Sequence, residues 1–193
     1  MLIKKIFVGR EESMLILDSK GKRGYRSVVF DVETTGLSTR LGDRVIEIGA
    51  VAIEGSKVVD EFHSLINVDQ PINPFAQAVH GITEEMLNGQ PRAAQVMPKF
   101  HKFIQKSLLV AHNASFDVRF MCHEFSLLKL DLNNVCFCTL KLGRSLFPTL
   151  ASHDLGTLYK QFYKNPPKEM HRALQDARAT AKIWIKLERK LLV

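Results

Sequence analysis

Residues 27–37 read Ser-Val-Val-Phe-Asp-Val-Glu-Thr-Thr-Gly-Leu. Val28 to Phe30 is a short apolar run of the kind that forms a buried strand, and the Thr34-Thr35-Gly36 turn ends it. Asp31 and Glu33 stand two apart, so in an extended chain their side chains leave the same face. Two carboxylates fixed side by side at the end of an apolar strand repel each other and lose hydration, a cost that something has to offset. A divalent cation does so, and an oxygen-only donor set selects Mg²⁺ or Mn²⁺ over zinc, which recruits His and Cys. Taken alone, an Asp-x-Glu pair is equally the solvated end of an ordinary strand.

Two later stretches shift that balance. Ala111-His112-Asn113-Ala114-Ser115-Phe116-Asp117 follows the apolar run Leu108 to Val110 and opens a helical pattern. His171-Arg172-Ala173-Leu174-Gln175-Asp176-Ala177 opens the final helix. Four acids and one histidine thus fall at the ends of three elements.

Written as FDVETTG, HNASFD and HRALQDA, in that order and with RVIEIGAV and HGIT between them, these stretches resemble the DEDDh, or DnaQ-like, 3′→5′ exonucleases. That family includes the proofreading epsilon subunit of bacterial DNA polymerase III. The likeness runs from about Ser27 to Leu192, and three ordered motifs are far more specific than any one of them. It implies a ribonuclease-H-like α/β fold, with a central mixed five-stranded sheet flanked by helices. It also implies an exonuclease domain over residues 27–193, leaving residues 1–26 as an N-terminal extension to which no role is assigned.

Length and composition set the outer bounds. A chain of 193 residues, 46% hydrophobic and 24% charged, suits one domain with a substantial core. No apolar run is long enough to cross a bilayer, and Lys4, Lys5 and Arg10 interrupt the N-terminal apolar residues, so neither a span nor a signal peptide is expected and cytoplasmic residence is the default. Cys122, Cys136 and Cys138 lack the paired spacing of a zinc ribbon and are expected as reduced, buried thiols. The formal charge of +7 is uneven. Residues 1–26 carry seven basic and three acidic groups, net +4, and residues 164–193 carry eight and three, net +5, around a middle of net −2. Basic ends around an acidic centre suit a polyanion held at the rim of a metal site, although solubility alone would account for the charge.

Along the chain, Val45 to Ile53 reads as a largely buried strand, Gly55 as a turn and Val58 to Ile66 as a third strand, together an antiparallel half-sheet. Pro71 and Pro74 mark a loop, and Thr83 caps a short helix. Val96, Phe100, Phe103 and Ile104 repeat at helical spacing, with Lys99, Lys102 and Lys106 on a solvated side. Leu108 to Ala111 is a buried strand parallel to its neighbour, and Ser115 is expected to cap the next helix. Val135 to Thr139 is the fifth strand, followed by a short helix to Phe147 and another from the cap Asp154 through Phe162. Asn165-Pro166-Pro167 breaks the pattern. The last helix sets Leu174, Ala177, Ala181, Trp184, Leu187 and Leu191 against Gln175, Arg178, Lys182, Lys186 and Arg189. Met14 to Leu17 fits a strand or a helical turn equally.

The resemblance also implies a mechanism. Phosphodiester hydrolysis needs an activated water, a stabilised leaving oxygen and offset charge at phosphorus, which two cations about 4 Å apart supply. Asp31, Glu33, Asp117 and Asp176 are implied as ligands of two Mg²⁺ or Mn²⁺ ions, Asp31 bridging both, and His171 as general base. Thr34, Leu37, His80, Asn113 and Phe116 are implied to hold the terminal nucleotide. Each has a plainer reading, Leu37 and Phe116 as core and His80 and Asn113 as loop braces. The expected substrate is a single-stranded or frayed DNA 3′ end, released as nucleoside 5′-monophosphates in proofreading or trimming, with a DNA polymerase subunit as an implied partner. One alternative is an RNA 3′ exonuclease resembling ribonuclease T or oligoribonuclease. Another is a catalytically silent nucleic-acid-binding or polymerase-assembly domain, although no ligand acid is missing. Since the sequence ends soon after its last helix, a free-standing enzyme is expected as readily as a polymerase subunit.

Overall fold

The computed structural model describes residues 2–8, 11–17, 26–165 and 170–191, and side chains for 26–165 and 170–190. Its strands are β1 (Leu2–Val8), β2 (Glu11–Leu17), β3 (Arg26–Thr34), β4 (Val45–Glu54), β5 (Lys57–Leu65), β6 (Leu108–Ala111) and β7 (Cys136–Cys138). Its helices are α1 (Pro74–His80), α2 (Glu84–Leu87), α3 (Ala93–Ile104), α4 (Ser115–Leu127), α5 (Thr139–Leu146), α6 (Leu155–Lys160) and α7 (Ala173–Leu191). β1 and β2 pair as a separate antiparallel hairpin, so Met14 to Leu17 is strand. The polar stretch Asp18 to Gly24 and the Pro166-Pro167 break lie outside the described residues.

The main sheet has the order β5-β4-β3-β6-β7. β3, β4 and β5 are antiparallel, whereas β6 and β7 run parallel to β3. This is the mixed five-stranded sheet of a ribonuclease-H-like fold. Strand alternation divides the core. Val28, Phe30 and Val32 of β3 meet Phe100 of α3 and Phe120 and Phe125 of α4 on one face. Val29 of β3 and Val51 and Ile53 of β4 meet α6 and the buried Ala177, Ala181, Trp184 and Leu187 of α7 on the other. The same alternation that puts Val29 under α7 puts Asp31 and Glu33 there too, at the end of the strand where the core gives out.

Gly49 decides how closely α7 approaches. It is the register partner of Asp31, and a Cβ at this position would collide with the backbone of Ala173 and Leu174. Only a residue without a side chain lets the first turn of α7 rest on the sheet beside Asp31.

Several boundaries differ from the sequence reading. The Pro74 loop is helix α1, because Pro74 occupies its first position, where no N–H is needed, and Asn73 caps it by accepting the Phe75 N–H at 2.9 Å. Ser115 does not cap α4. Ala114 takes the cap position, already helical, because Asn113 turns the chain with a φ of 63° and starts the helix one residue early. α6 stops at Lys160, short of Phe162. The Thr39 to Asp43 loop contains a 3₁₀ turn at Thr39–Leu41. The thiols are free, as expected, yet none is buried: Cys122 is exposed and Cys136 and Cys138 are half-buried at the short edge strand β7.

Candidate active site

β3 and α7 bring Asp31, Glu33 and Asp176 together, with one carboxylate oxygen from each within 4.8 Å of the other two. Asp117, in the first turn of α4, stands beside them and accepts the Val32 N–H at 3.2 Å. Elements separated by more than a hundred residues thus converge on one point. Asp31 and Glu33 are half-buried, and Asp117 and Asp176 are buried.

Their titration reflects the crowding. Burial, then the charges of Asp117, Glu33 and Asp176, push the Asp31 carboxyl well above its ordinary range. Burial and the charge of Asp176 raise Glu33 to about 8. Burial raises Asp117 to about 7 against the pull of the Val32 N–H. Asp176 is raised by burial despite the His171 N–H, which donates to its Oδ2 at 3.0 Å. Its Oδ1 is buried with no hydrogen-bond partner. A cluster that resists ionisation and leaves a carboxylate oxygen unmatched has the chemistry of a hard divalent-cation site, so the donor set fits such an ion.

His171 is exposed and sits at a φ of 65°, a left-handed conformation uncommon for a residue with a side chain. Its backbone is pinned to Asp176 while its imidazole faces solvent beside the acids. His112, in the second motif, is set apart: burial pushes its pKa down to about 4 and its Nδ1 meets the Thr139 hydroxyl at 2.9 Å, which makes it a brace.

The five residues implied for nucleotide contact divide into two groups. Thr34, Leu37 and His80 line one cavity of about 480 Å³ together with Glu33. Leu37 is 76% exposed and so is not core. His80 is buried. Its Nδ1 accepts the Ile82 N–H at 3.0 Å, which leaves Nε2 to donate to the Thr34 carbonyl at 3.2 Å, and burial lowers its pKa, keeping it neutral. It therefore braces the Thr34 turn. Asn113, in the β6–α4 connection, and Phe116, in the first turn of α4, do not line this cavity. Arg119 ties the two groups together, lying over the Phe116 ring at 5.5 Å and donating to the Leu37 carbonyl at 3.1 Å.

Two sets of residues escaped the sequence reading. Leu41, 80% exposed, and Phe75, 85% exposed, line the mouth of the cavity with Leu37. Nothing in their local sequence marks them, and only α1 and the 3₁₀ turn bring them there. Glu47 did carry a signal, since a lone acid inside the apolar run of β4 must find a partner. It faces Glu33 in register, accepts from Arg172 Nη2 at 2.8 Å and from the Ala173 N–H at 3.0 Å, and meets His63 Nε2 at 2.7 Å. It thereby anchors the segment that carries His171 and Asp176.

Comparison with known proteins agrees with this arrangement. A ribonuclease-H-like sheet with a carboxylate cluster at the junction of β3 and α7 defines a class of nucleases, and residues 28–184 match the family model described as Exonuclease. The chain belongs to this exonuclease family. It is 44% identical over 164 residues to the PolC-type DNA polymerase III of Caldanaerobacter subterraneus subsp. tengcongensis, covering 85% of this chain and 12% of that protein. It is 40% identical over 162 residues to the PolC-type DNA polymerase III of Bacillus subtilis, covering 83% and 11%. The chain thus spans only about an eighth of the length of these relatives. Among solved structures, Exonuclease X in complex with 5′ overhanging duplex DNA aligns with a TM-score of 0.69 and 32% identity, covering 85% of this chain and 92% of that one. Escherichia coli Exonuclease I in complex with a dT13 oligonucleotide shares the fold at a TM-score of 0.76 and 20% identity, covering 85% and 41%. Among the described residues no helix is long and apolar enough to cross a membrane.

Proposed function

We propose that the chain is a metal-dependent 3′→5′ exonuclease that removes nucleoside 5′-monophosphates one at a time from DNA ends. The convergence of Asp31, Glu33 and Asp176 beside Asp117 carries this reading. DNA is favoured over RNA because the relatives are DNA polymerases and the neighbouring structures hold DNA. Proofreading or trimming beside a polymerase in the cytoplasm follows as the corresponding role.

The four acids would hold two Mg²⁺ or Mn²⁺ ions. When bound, such ions lower the pKa of a coordinated water and neutralise charge on the scissile phosphate and the leaving oxygen. The chain's own groups do the rest. His171, exposed beside Asp176 and anchored by its backbone, is placed to take a proton from the attacking water as general base. Glu47 and Arg172 hold that segment against β4. Thr34, its carbonyl fixed by His80, presents its backbone to the terminal sugar. Leu37 offers an apolar wedge at the cavity mouth, and Leu41 and Phe75 widen it into a shelf for an unpaired base. Phe116 flanks the site from α4 and is joined to Leu37 through Arg119, and Asn113 turns the chain into that helix.

The test is a 5′-labelled single-stranded DNA oligonucleotide incubated with Mg²⁺ or Mn²⁺. Stepwise shortening from the 3′ end, release of 5′-monophosphates and full inhibition by EDTA are expected. Internal cleavage, or no metal-dependent shortening, would overturn the assignment. An RNA of the same sequence, hydrolysed faster, would move the substrate to the ribonucleases.

A further inference from the structure

Lys182, Lys186 and Lys190 follow one another at intervals of four along α7, which puts them in a row on its outer side. Such a row is ordinarily a solvated face. Here each ammonium is held over an aromatic ring. Lys182 Nζ lies 5.8 Å from the Tyr159 ring and 6.0 Å from that of Tyr163, Lys186 Nζ lies 5.8 Å from Tyr163, and Lys190 Nζ lies 5.6 Å from Phe147. The Tyr159 and Tyr163 rings are themselves packed 4.7 Å apart. Lys182 also donates to the Tyr159 hydroxyl at 3.3 Å. Rings that hold long side chains in place remove much of the entropy a flexible lysine loses on meeting an anion.

Lys182 and the Tyr163 ring that Lys186 covers line a cavity of about 700 Å³ between α7 and the edge strand β5, and its lining among the described residues also includes Lys164, Arg178 and a single acid, Glu61. Arg178 grips Glu61 through two nitrogens, which leaves the charge of the groove to Lys164 and Lys182. The groove begins at Gln175, next to Asp176 in the chain. At about 1.5 Å per residue, Lys182 and Lys186 stand roughly 9 and 15 Å along the helix from Asp176.

We infer that this groove is a track for the phosphodiester backbone of single-stranded nucleic acid, holding the part of the strand 5′ to the nucleotide at the acid cluster. The inference rests on the exonuclease reading above. The lysines cover the tyrosine rings, so the track grips phosphates and does not stack bases, and its hold is independent of sequence. A repeated row of ordered cations leading away from the acid cluster suits a chain of phosphates better than one small anion.

The experiment measures binding of a fluorescent trinucleotide and a dodecanucleotide of thymidine across a salt series, with Ca²⁺ replacing Mg²⁺. For the wild-type protein, lengthening the strand should tighten binding and steepen the salt dependence. In Lys182→Gln/Lys186→Gln the dodecanucleotide should lose roughly tenfold in affinity and about 1.4 from the slope of log K against log salt, 0.7 for each phosphate released. Restoring arginine at both positions should restore the slope, which a purely structural effect of the lysines would not produce. An unchanged slope in the double glutamine variant would overturn the track. Equal competition by a glutamate peptide of matched charge would overturn its assignment to nucleic acid in favour of an acidic protein. Hydrolysis of the trinucleotide by the wild-type protein in Mg²⁺ reports the acid cluster separately, so failure of the exonuclease reading and failure of the track are distinguishable.

Discussion

Two groups of carboxylates are withdrawn from water in this molecule, and they have opposite fates. Glu47, 1% exposed, and Glu124, fully buried, are each matched by a guanidinium from elsewhere in the chain. Arg44 reaches Glu124 with Nε at 2.8 Å and Nη2 at 2.7 Å, and the Val45 N–H adds a third bond. Burial works to raise Glu47, but the bonds from Arg172 and His63 and the Ala173 N–H outweigh it, so its pKa falls below the ordinary range. Of Asp31, Glu33, Asp117 and Asp176, the last two accept backbone N–H groups from Val32 and His171, and all four are raised. Arg172 pulls Glu33 down, but burial and the neighbouring acids outweigh it, and its guanidinium bonds Glu47. The fold evidently supplies cations to buried acids where it needs rigidity. Where it withholds them, charge has to arrive from outside.

Substitutions can break this contrast. The largest expected effect is that of Asp31→Asn, which should lower metal-dependent hydrolysis about 10⁴-fold, while metal-free thermal unfolding holds or improves because repulsion is relieved. A marked loss of stability would place Asp31 with the structural acids. His171→Ala should cost about 10³-fold in rate with no loss of stability. Activity retained at neutral pH would require another base. Glu47→Gln should destabilise the protein by about 3 kcal/mol in urea titration, since it removes the buried charge that Arg172 and His63 bond and loosens the start of α7. A neutral result would mean that this ion pair is not what fixes the motif.

The contrast also has a pH signature. The four raised acids bind protons in the folded, metal-free protein that they release in the unfolded chain, so their stabilising contribution is complete below about pH 4. It is lost as the pH rises through about 7 for Asp117 and about 8 for Glu33. Glu47 acts in the other direction, its contribution disappearing only as the pH falls through its lowered pKa. Melting temperatures in EDTA should therefore decline between about pH 5 and 8, and saturating Mg²⁺ should remove most of that decline. A flat profile in EDTA would mean that the acids are not crowded in solution. The smallest effect sharpens the substrate side. Phe75→Ala should raise KM for a single-stranded DNA end about fivefold with kcat little changed, the lower end of what stacking one base contributes. An unaltered KM would remove Phe75 from the shelf.

Much of this was legible in the sequence, for reasons that can be named. The apolar runs of β3 and β4, the alternation of β5, the helical spacing of α3 and α7, and the position of each acid at an element's end all express local chemistry, which neighbouring residues suffice to specify. The five-stranded sheet and the identity of the clustered acids followed from that chemistry together with the family resemblance. Long-range matters were not legible. Pro74 signals a loop or a helix start equally well until Asn73 is seen capping α1. Leu41 and Phe75 look like stray apolar residues until the fold sets them around one cavity.

The sequence by itself determined which residues alternate, which turn, and which acids terminate a strand or open a helix, because those properties reside within a few consecutive residues. Tertiary structure alone decided which of the buried acids would be neutralised and which left to crowd. That outcome depends on Arg172 reaching Glu47 across 125 positions and on the missing side chain at Gly49, which lets α7 settle beside Asp31. Electrostatic matching of this kind falls off within a few ångströms, so it is set by packing and not by proximity along the chain.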